Sequence, residues 1–299
     1  MAFFLSVANR KGGVGKSTIS AMIAHGLAVW GRRKVLVIDL DTQCNASLIL
    51  MGSDAWDAAR QRALTVADYF SDYFDGRRPE PSGYAFSGVT DIIGDAGKPP
   101  LISLLPGSLD LEDIEHEMLH RLASQSRSFY FAEGAVIGRI RTQLKRFGDP
   151  FDVVLLDCPP GLSFATKAAL EIANRVLVPF RPDYVSRYAV DRISRMVEKR
   201  PRLEDVIEIP FERRRYVTIA NLVQRGPKHR RLIENIADYH PLLATRIPQK
   251  PDIANAFDWR EERLTLEEKY GDSLDVVRSL CSEVSGLIDL PACNEEASI

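Results

Sequence analysis

The stretch Arg10-Lys11-Gly12-Gly13-Val14-Gly15-Lys16-Ser17-Thr18 packs three glycines, two lysines and two hydroxyls into nine residues. Backbone N–H groups left open by Gly12, Gly13 and Gly15 can converge on phosphate oxygens, and a helix opening at the end of the loop adds partial positive charge at the same point. Lys16 is then placed to reach the β- and γ-phosphates of a nucleotide, and the Ser17 hydroxyl to ligate magnesium. The common G-x-x-x-x-G-K-[ST] loop begins with glycine where this chain has Arg10, and here a second lysine, Lys11, follows. Two further runs end in carboxylates, Asp39 and Asp41 in one and Asp157 in the other. A glycine turn with a purely structural role is the competing reading. The agreement of loop, flanking elements and acidic strand ends outweighs it.

These groups need a frame. Phe3 to Asn9 is a short apolar run leading into the loop, and Ser17 to Trp30 carries apolar residues at helical spacing until Gly31, so the context is strand, loop, helix. Val35 to Leu40 and Val153 to Leu156 are continuous β-branched and leucine runs, as parallel strands buried on both faces require. Further strands are predicted over 101–105, 175–179, 216–222 and 243–247, and helices over 65–74, 109–122, 129–147, 165–173, 184–200, 228–239 and about 273–288. This alternation predicts an α/β fold, a parallel twisted sheet with helices on both faces, its polar strand ends lining a ligand crevice. Gly and Pro crowd the segment from Asp75 to Pro100, and neither a repeat nor a long linker divides the chain.

With 299 residues, 45% hydrophobic and 27% charged, the chain can bury a large core, and nothing marks it as disordered or fibrous. No apolar run approaches the roughly 20 residues of a bilayer-spanning helix, and no cleavable signal precedes the first strand, so a cytoplasmic location is expected. Cys44, Cys158, Cys281 and Cys293 lack paired spacing, which argues against a disulfide framework, a zinc site or an iron–sulfur cluster. The net charge of −2 hides an asymmetry: Arg187 to Arg231 holds thirteen Lys/Arg against six Asp/Glu. A polyanion could be drawn to that face.

The loop resembles the deviant Walker A loop of the ParA/MinD group of P-loop ATPases, and the likeness extends further. Val37-Ile38-Asp39-Leu40-Asp41-Thr42-Gln43-Cys44-Asn45 resembles the family's second motif, with Thr42 where proline is usual, and Leu155-Leu156-Asp157-Cys158-Pro159-Pro160-Gly161 its magnesium-site motif. Leu104-Leu105-Pro106-Gly107, Val178-Pro179-Phe180 and Arg246-Ile247-Pro248 follow in the expected order. The resemblance implies one ATPase domain over residues 1–299 with an irregular insertion at about 51–100, ATP and Mg2+ as cofactors, and slow hydrolysis. It implies that Lys11 crosses a homodimer interface to the partner's phosphates and that Asp41 orients the attacking water. Ser17, Asp157 and Asp39 would form the magnesium site, Gly12, Gly13, Val14, Gly15, Lys16, Ser17 and Thr18 the phosphate cradle, and Asn221 and Pro248 the adenine contacts.

Three branches of the family differ in what else they need. The ParA type, an ATP dimer on non-specific DNA stimulated by a ParB-like or adaptor partner, requires a basic face, for which Arg213, Arg214, Arg215, Lys228, Arg230 and Arg231, with Arg187, Arg192 and Arg195, are the candidates. A solvated helix face is the plain alternative for such a charge run. Nucleoid association would follow from DNA binding, and alanine at Arg213, Arg214 and Arg215 would be expected to weaken DNA while sparing the ATPase. A MinD-like membrane-associated positioning ATPase is the alternative, but the stretch from Leu290 to Ile299 is acidic and holds a proline where a basic amphipathic helix is needed. The third branch, an iron–sulfur electron carrier, lacks its cysteines. No helix-turn-helix unit precedes the first strand, so sequence-specific operator binding is not expected.

Overall fold

In chain order the elements are β1 (Phe3–Val7), α1 (Lys16–Val29), β2 (Val35–Asp39), α2 (Asn45–Gln61), α3 (Val66–Phe74), β3 (Phe86–Ser87), β4 (Ile102–Leu105), α4 (Leu111–Ser124), α5 (Phe129–Arg146), β5 (Val153–Asp157), α6 (Phe164–Ile172), β6 (Arg175–Phe180), α7 (Ser186–Val197), α8 (Leu203–Ile207), β7 (Tyr216–Val223), α9 (Pro227–Ala237), β8 (Leu242–Pro248), α10 (Pro251–Asn255), α11 (Leu266–Tyr270) and α12 (Leu274–Asp289). The computed structural model describes residues 2–94, 97–124 and 128–290. Residues 291–299, which carry most of the acidic C-terminal stretch and Cys293, lie outside the described residues. Among the described residues, Cys44, Cys158 and Cys281 are free thiols and buried, and no helix is long and apolar enough to cross a membrane.

The strands form one sheet in the order β3-β4-β2-β5-β1-β6-β7-β8, parallel throughout except where β3 meets β4. Because a parallel connection must return through a crossover, the strands' carboxyl ends share one edge while the helices run back toward the other. The buried strand runs feed two cores. Val154 and Leu156 of β5 face one layer with α3 to α6, and Val153 and Leu155 face the other with α1, α2 and α12. At roughly 1.5 to 3 kcal/mol for each fully buried Val, Leu or Ile, these two layers fix the edge on which the loops sit.

The segment expected to be irregular at about 51–100 is partly ordered: α2 runs to Gln61, and α3 is capped by Thr65, whose Oγ1 and backbone N–H pair with Asp68 in a capping box. Irregular backbone is concentrated between α3 and β4, the part rich in Gly and Pro. α2 is interrupted at Gly52, which has φ +76°. A Cβ there would sit 2.7 Å from the Trp259 ring, so the close approach of Trp259 requires glycine.

Candidate functional site

The phosphate loop joins the carboxyl end of β1 to α1, in the centre of the sheet. Gly15 forms the N-cap of α1 with φ +83°. A Cβ on it would lie 2.2 Å from Asn221 Nδ2, which donates to Val14 O at 2.8 Å. Gly15 is therefore fixed by conformation and by space, and Asn221, 2% exposed, braces the loop from β7.

A cavity of about 630 Å³ opens above the loop, lined by Gly12, Gly13, Gly15, Lys16, Ser17 and Thr18 on one side and Asp41, Gln43 and Asn45 on another, with Pro160, Phe257 and Trp259 among its remaining walls. Lys16 is 6% exposed. Burial lowers its ammonium pKa against the opposing pull of Asp157 and Asp41. Asp41 reaches this cavity because its loop is held: Asp39 Oδ1 accepts from Asp41 N at 3.1 Å, and Asp39 Oδ2 accepts from Ser47 N at 2.8 Å and Ser47 Oγ at 2.6 Å. Both Asp39 oxygens thus accept hydrogen bonds from this loop. These bonds give Asp39 a role in shaping the loop that carries Asp41: Oδ2 already takes two donors from Ser47, and Oδ1 takes one from Asp41 N.

Asp157 ends β5, paired in register with Asp39 of β2. Burial raises the carboxyl pKa of both; the charge of Asp157 pushes Asp39 further, while the nearby hydroxyls of Ser17 and Ser20 and the charge of Lys16 work against the rise at Asp157. Asp157 Oδ1 accepts from Ser20 Oγ at 2.8 Å, whereas its Oδ2 is buried without a hydrogen-bond partner. An orphaned carboxylate oxygen beside the Ser17 hydroxyl suits a hard cation that takes one carboxylate, a hydroxyl and phosphate oxygens. Among the described residues no group of three or more His, Cys, Asp or Glu could hold a metal alone, which is compatible with magnesium borne largely by phosphates and water.

Lys11 is not among the cavity's lining residues. Its Nζ pairs with Asp183 and lies 3.5 Å from Ser186 Oγ at the start of α7. Burial alone would raise the Asp183 carboxyl, but the bonds from Lys11 and Ser186 outweigh it and hold the pKa below the usual value. Exposed Tyr184, Val185 and Tyr188 lie beside this pair. Asp183, Phe257 and Trp259 escaped the sequence reading: a lone Asp after Pro182 and aromatics in a segment without periodicity give no signal, whereas Pro160 lies within the motif that ends at Gly161. Asn221 and Pro248, expected at the adenine, do not line this cavity.

The arginine run needs correction. Arg214 is 2% exposed; its Nε donates to Ile209 O at 2.8 Å, Nη2 to Ile207 O at 3.0 Å, and Nη1 to Tyr216 Oη at 3.3 Å and to Tyr239 O. Arg215 Nη2 donates to Ala173 O at 2.7 Å and Leu170 O at 3.1 Å, and its Nη1 to Val197 O at 3.3 Å. The helices end at the amino edge of the sheet, where unpaired carbonyls collect, and β7 begins there with two cations that satisfy them. Arg214 and Arg215 are therefore removed from the DNA candidates, which leaves Arg213 as the exposed member of the run. Lys228, Arg230 and Arg231 are exposed on α9, whose first turn follows the carboxyl end of β7, and Lys228 lies over the Tyr184 ring at 5.5 Å. Arg192 of α7 is exposed too, but Arg187 is half-buried over the Tyr239 ring, and Arg195 donates to Asp191 O and Pro201 O.

A family profile described as an AAA domain matches residues 3–209. The chromosome partitioning protein ParA of Caulobacter vibrioides is 30% identical over 221 residues, covering 70% of this chain and 70% of that protein. Among solved structures, cobyrinic acid a,c-diamide synthase of Mycobacterium smegmatis with bound ADP and magnesium is 27% identical with a TM-score of 0.59, covering 84% of this chain and 88% of that one. Apo McdA of Cyanothece, at 19% identity and a TM-score of 0.69 over 96% of this chain and 100% of that one, shares the fold.

Proposed function

The chain belongs to the ParA-type family of ATPases, and from that premise we propose that it is an ATP-dependent dimerising switch which binds DNA non-specifically and segregates or positions a plasmid, chromosome or protein cargo, its hydrolysis stimulated by a ParB-like or adaptor partner. The observation that carries this reading is the division of labour between the two lysines: Lys16 faces the cavity, while Lys11, at the same loop, is held outside it by Asp183. A lysine that serves its own nucleotide has no reason to be turned out; one that serves a second subunit does.

In this reading the loop N–H groups and Lys16 hold the β- and γ-phosphates, and the Ser17 hydroxyl and Asp157 Oδ2 hold magnesium, which when bound neutralises phosphate charge. Asp41 Oδ1 accepts from Gln43 N at 3.0 Å, which keeps the carboxylate aimed into the cavity, where it orients water in line with the γ-phosphate. Lys11 exchanges Asp183 for the partner subunit's phosphate when two copies meet. Asp41→Ala is expected to retain ATP and the dimer while turnover falls by roughly 10²- to 10⁴-fold. Single-turnover hydrolysis and light scattering check both halves; normal turnover removes Asp41 from the mechanism.

For DNA the surviving surface is α9. Two copies of Lys228, Arg230 and Arg231 in a dimer would neutralise about six phosphates, so the logarithm of the binding constant should fall with log salt at a slope of about −5. Affinity for unrelated duplexes should require ATP. Alanine at Lys228, Arg230 and Arg231 should flatten the slope without touching ATPase activity, and a slope unchanged by that triple variant would remove α9 from the interface.

A further inference from the structure

Glu115 lies on the buried stripe of α4 with Leu111, Met118 and Leu119, and it is a charged residue 3% exposed. Its carboxylate reaches a different helix: Oε1 accepts from Ala165 N at 2.7 Å and Oε2 from Phe164 N at 3.0 Å. These are the first two N–H groups of α6. The third, Thr166 N, is taken by the Ser163 hydroxyl at 3.1 Å. Local caps ordinarily satisfy a helix start, but here most of the cap comes from 50 residues away. Burial pushes the Glu115 carboxyl up to about 7, against the two backbone N–H groups and the Ser163 hydroxyl. A group held at that cost has a specific task.

What it holds is the far end of the loop that begins at Asp157. The near end is tied to the sheet, with Cys158 N donating to Val7 O at 3.2 Å. Between the two ties lie Pro159 to Leu162, and Pro160 lines the cavity, with its Cβ 3.9 Å from where a Cβ on Gly12 would stand. Lys167 of α6 is tied as well, to Glu133 of α5. The α4–α5 pair therefore anchors the start of α6 from the core side, while the loop faces the phosphates.

We propose that Glu115 is a positioning residue for ATP hydrolysis: by clamping the first N–H groups of α6 it sets where the loop from Pro159 to Ser163 stands over the phosphate cradle, while Asp157 is held separately in β5. This rests on the ATPase reading of the cavity. Nucleotide affinity is set by the loop of Lys16, which Glu115 does not touch, so the two properties should separate. In Glu115→Gln one acceptor is lost and an N–H group faces N–H groups, with volume conserved. The turnover of Mg-ATP should fall roughly 10- to 100-fold, as for lost supporting hydrogen bonds around a reacting centre, while the dissociation constant for Mg-ADP changes less than about 3-fold. Glu115→Asp, which keeps the charge, should recover part of the turnover.

Amide hydrogen exchange provides a readout that needs no turnover. Peptides covering residues 158–166 should exchange faster in Glu115→Gln than in the parent, with peptides over residues 10–30 unchanged. Unchanged exchange at 158–166, or a turnover and an ADP affinity that fall together, would overturn the proposal. A parent protein that binds ATP without hydrolysing it would instead overturn the ATPase reading, and the exchange comparison would still decide whether Glu115 positions the loop.

Discussion

Lys16→Ala is expected to lose nucleotide: in a titration with Mg-ATP the affinity should fall by roughly 10²- to 10⁴-fold. The ammonium is the cation aimed into the cavity from the centre of the phosphate loop, and it serves two phosphate groups. Two charge-assisted hydrogen bonds at about 1.5 to 3 kcal/mol each convert to that range. The substitution also leaves Asp157 and Asp41 without a cation they both face, so repulsion of the triphosphate adds to the loss. Lys11→Ala is the control. Its side chain pairs with Asp183, so the isolated subunit should bind ATP as before. Equal affinity in the parent and Lys16→Ala would refute the loop assignment.

Arg214→Ala should destabilise the fold by about 3 to 5 kcal/mol, because it leaves the carbonyls of Ile207, Ile209 and Tyr239 unpaired in the interior and empties the space beside the Phe211 ring. For a chain of this size that corresponds to a melting midpoint lower by roughly 10 °C. Arg213→Ala, at an exposed neighbouring position, should stay within about 0.5 kcal/mol of the parent. A thermal scan of the two variants decides between a structural and a surface role for the run. Equal midpoints would return Arg214 to the candidates for DNA.

The two cases mark where the sequence was legible. The phosphate loop could be read because its chemistry is local: three glycines, a lysine and a hydroxyl between a strand and a helix leave one way to fold, and β2 and β5 announced themselves as continuous apolar runs ending in carboxylates. Arg213 to Arg215 misled because charge is visible in a sequence but its destination is not. Helix ends at the amino edge of the sheet consume two of the three guanidinium groups, and that edge exists only after the chain has folded. The bonds by which Asp39 shapes the Asp41 loop, to Ser47 and Asp41 N, are likewise invisible until the chain has folded. α2 is absent from the elements predicted from the sequence; in the fold Gly52 interrupts it and makes room for Trp259. Glu115 carries no signal in the sequence, because its partners are N–H groups of α6, some 50 residues away.

The central claim, that ATP joins two copies through Lys11, is tested most directly by light scattering of the purified protein at one concentration with Mg-ATP, with Mg-ADP and without nucleotide. To hold the nucleotide state constant the comparison is made in the Asp41→Ala background. The account predicts a mass of about twice 33.5 kDa with ATP and a monomer in the other two conditions, and a monomer in all three once Lys11→Ala is added. A dimer that forms equally with ADP, or one that persists with ATP after Lys11→Ala, would contradict it.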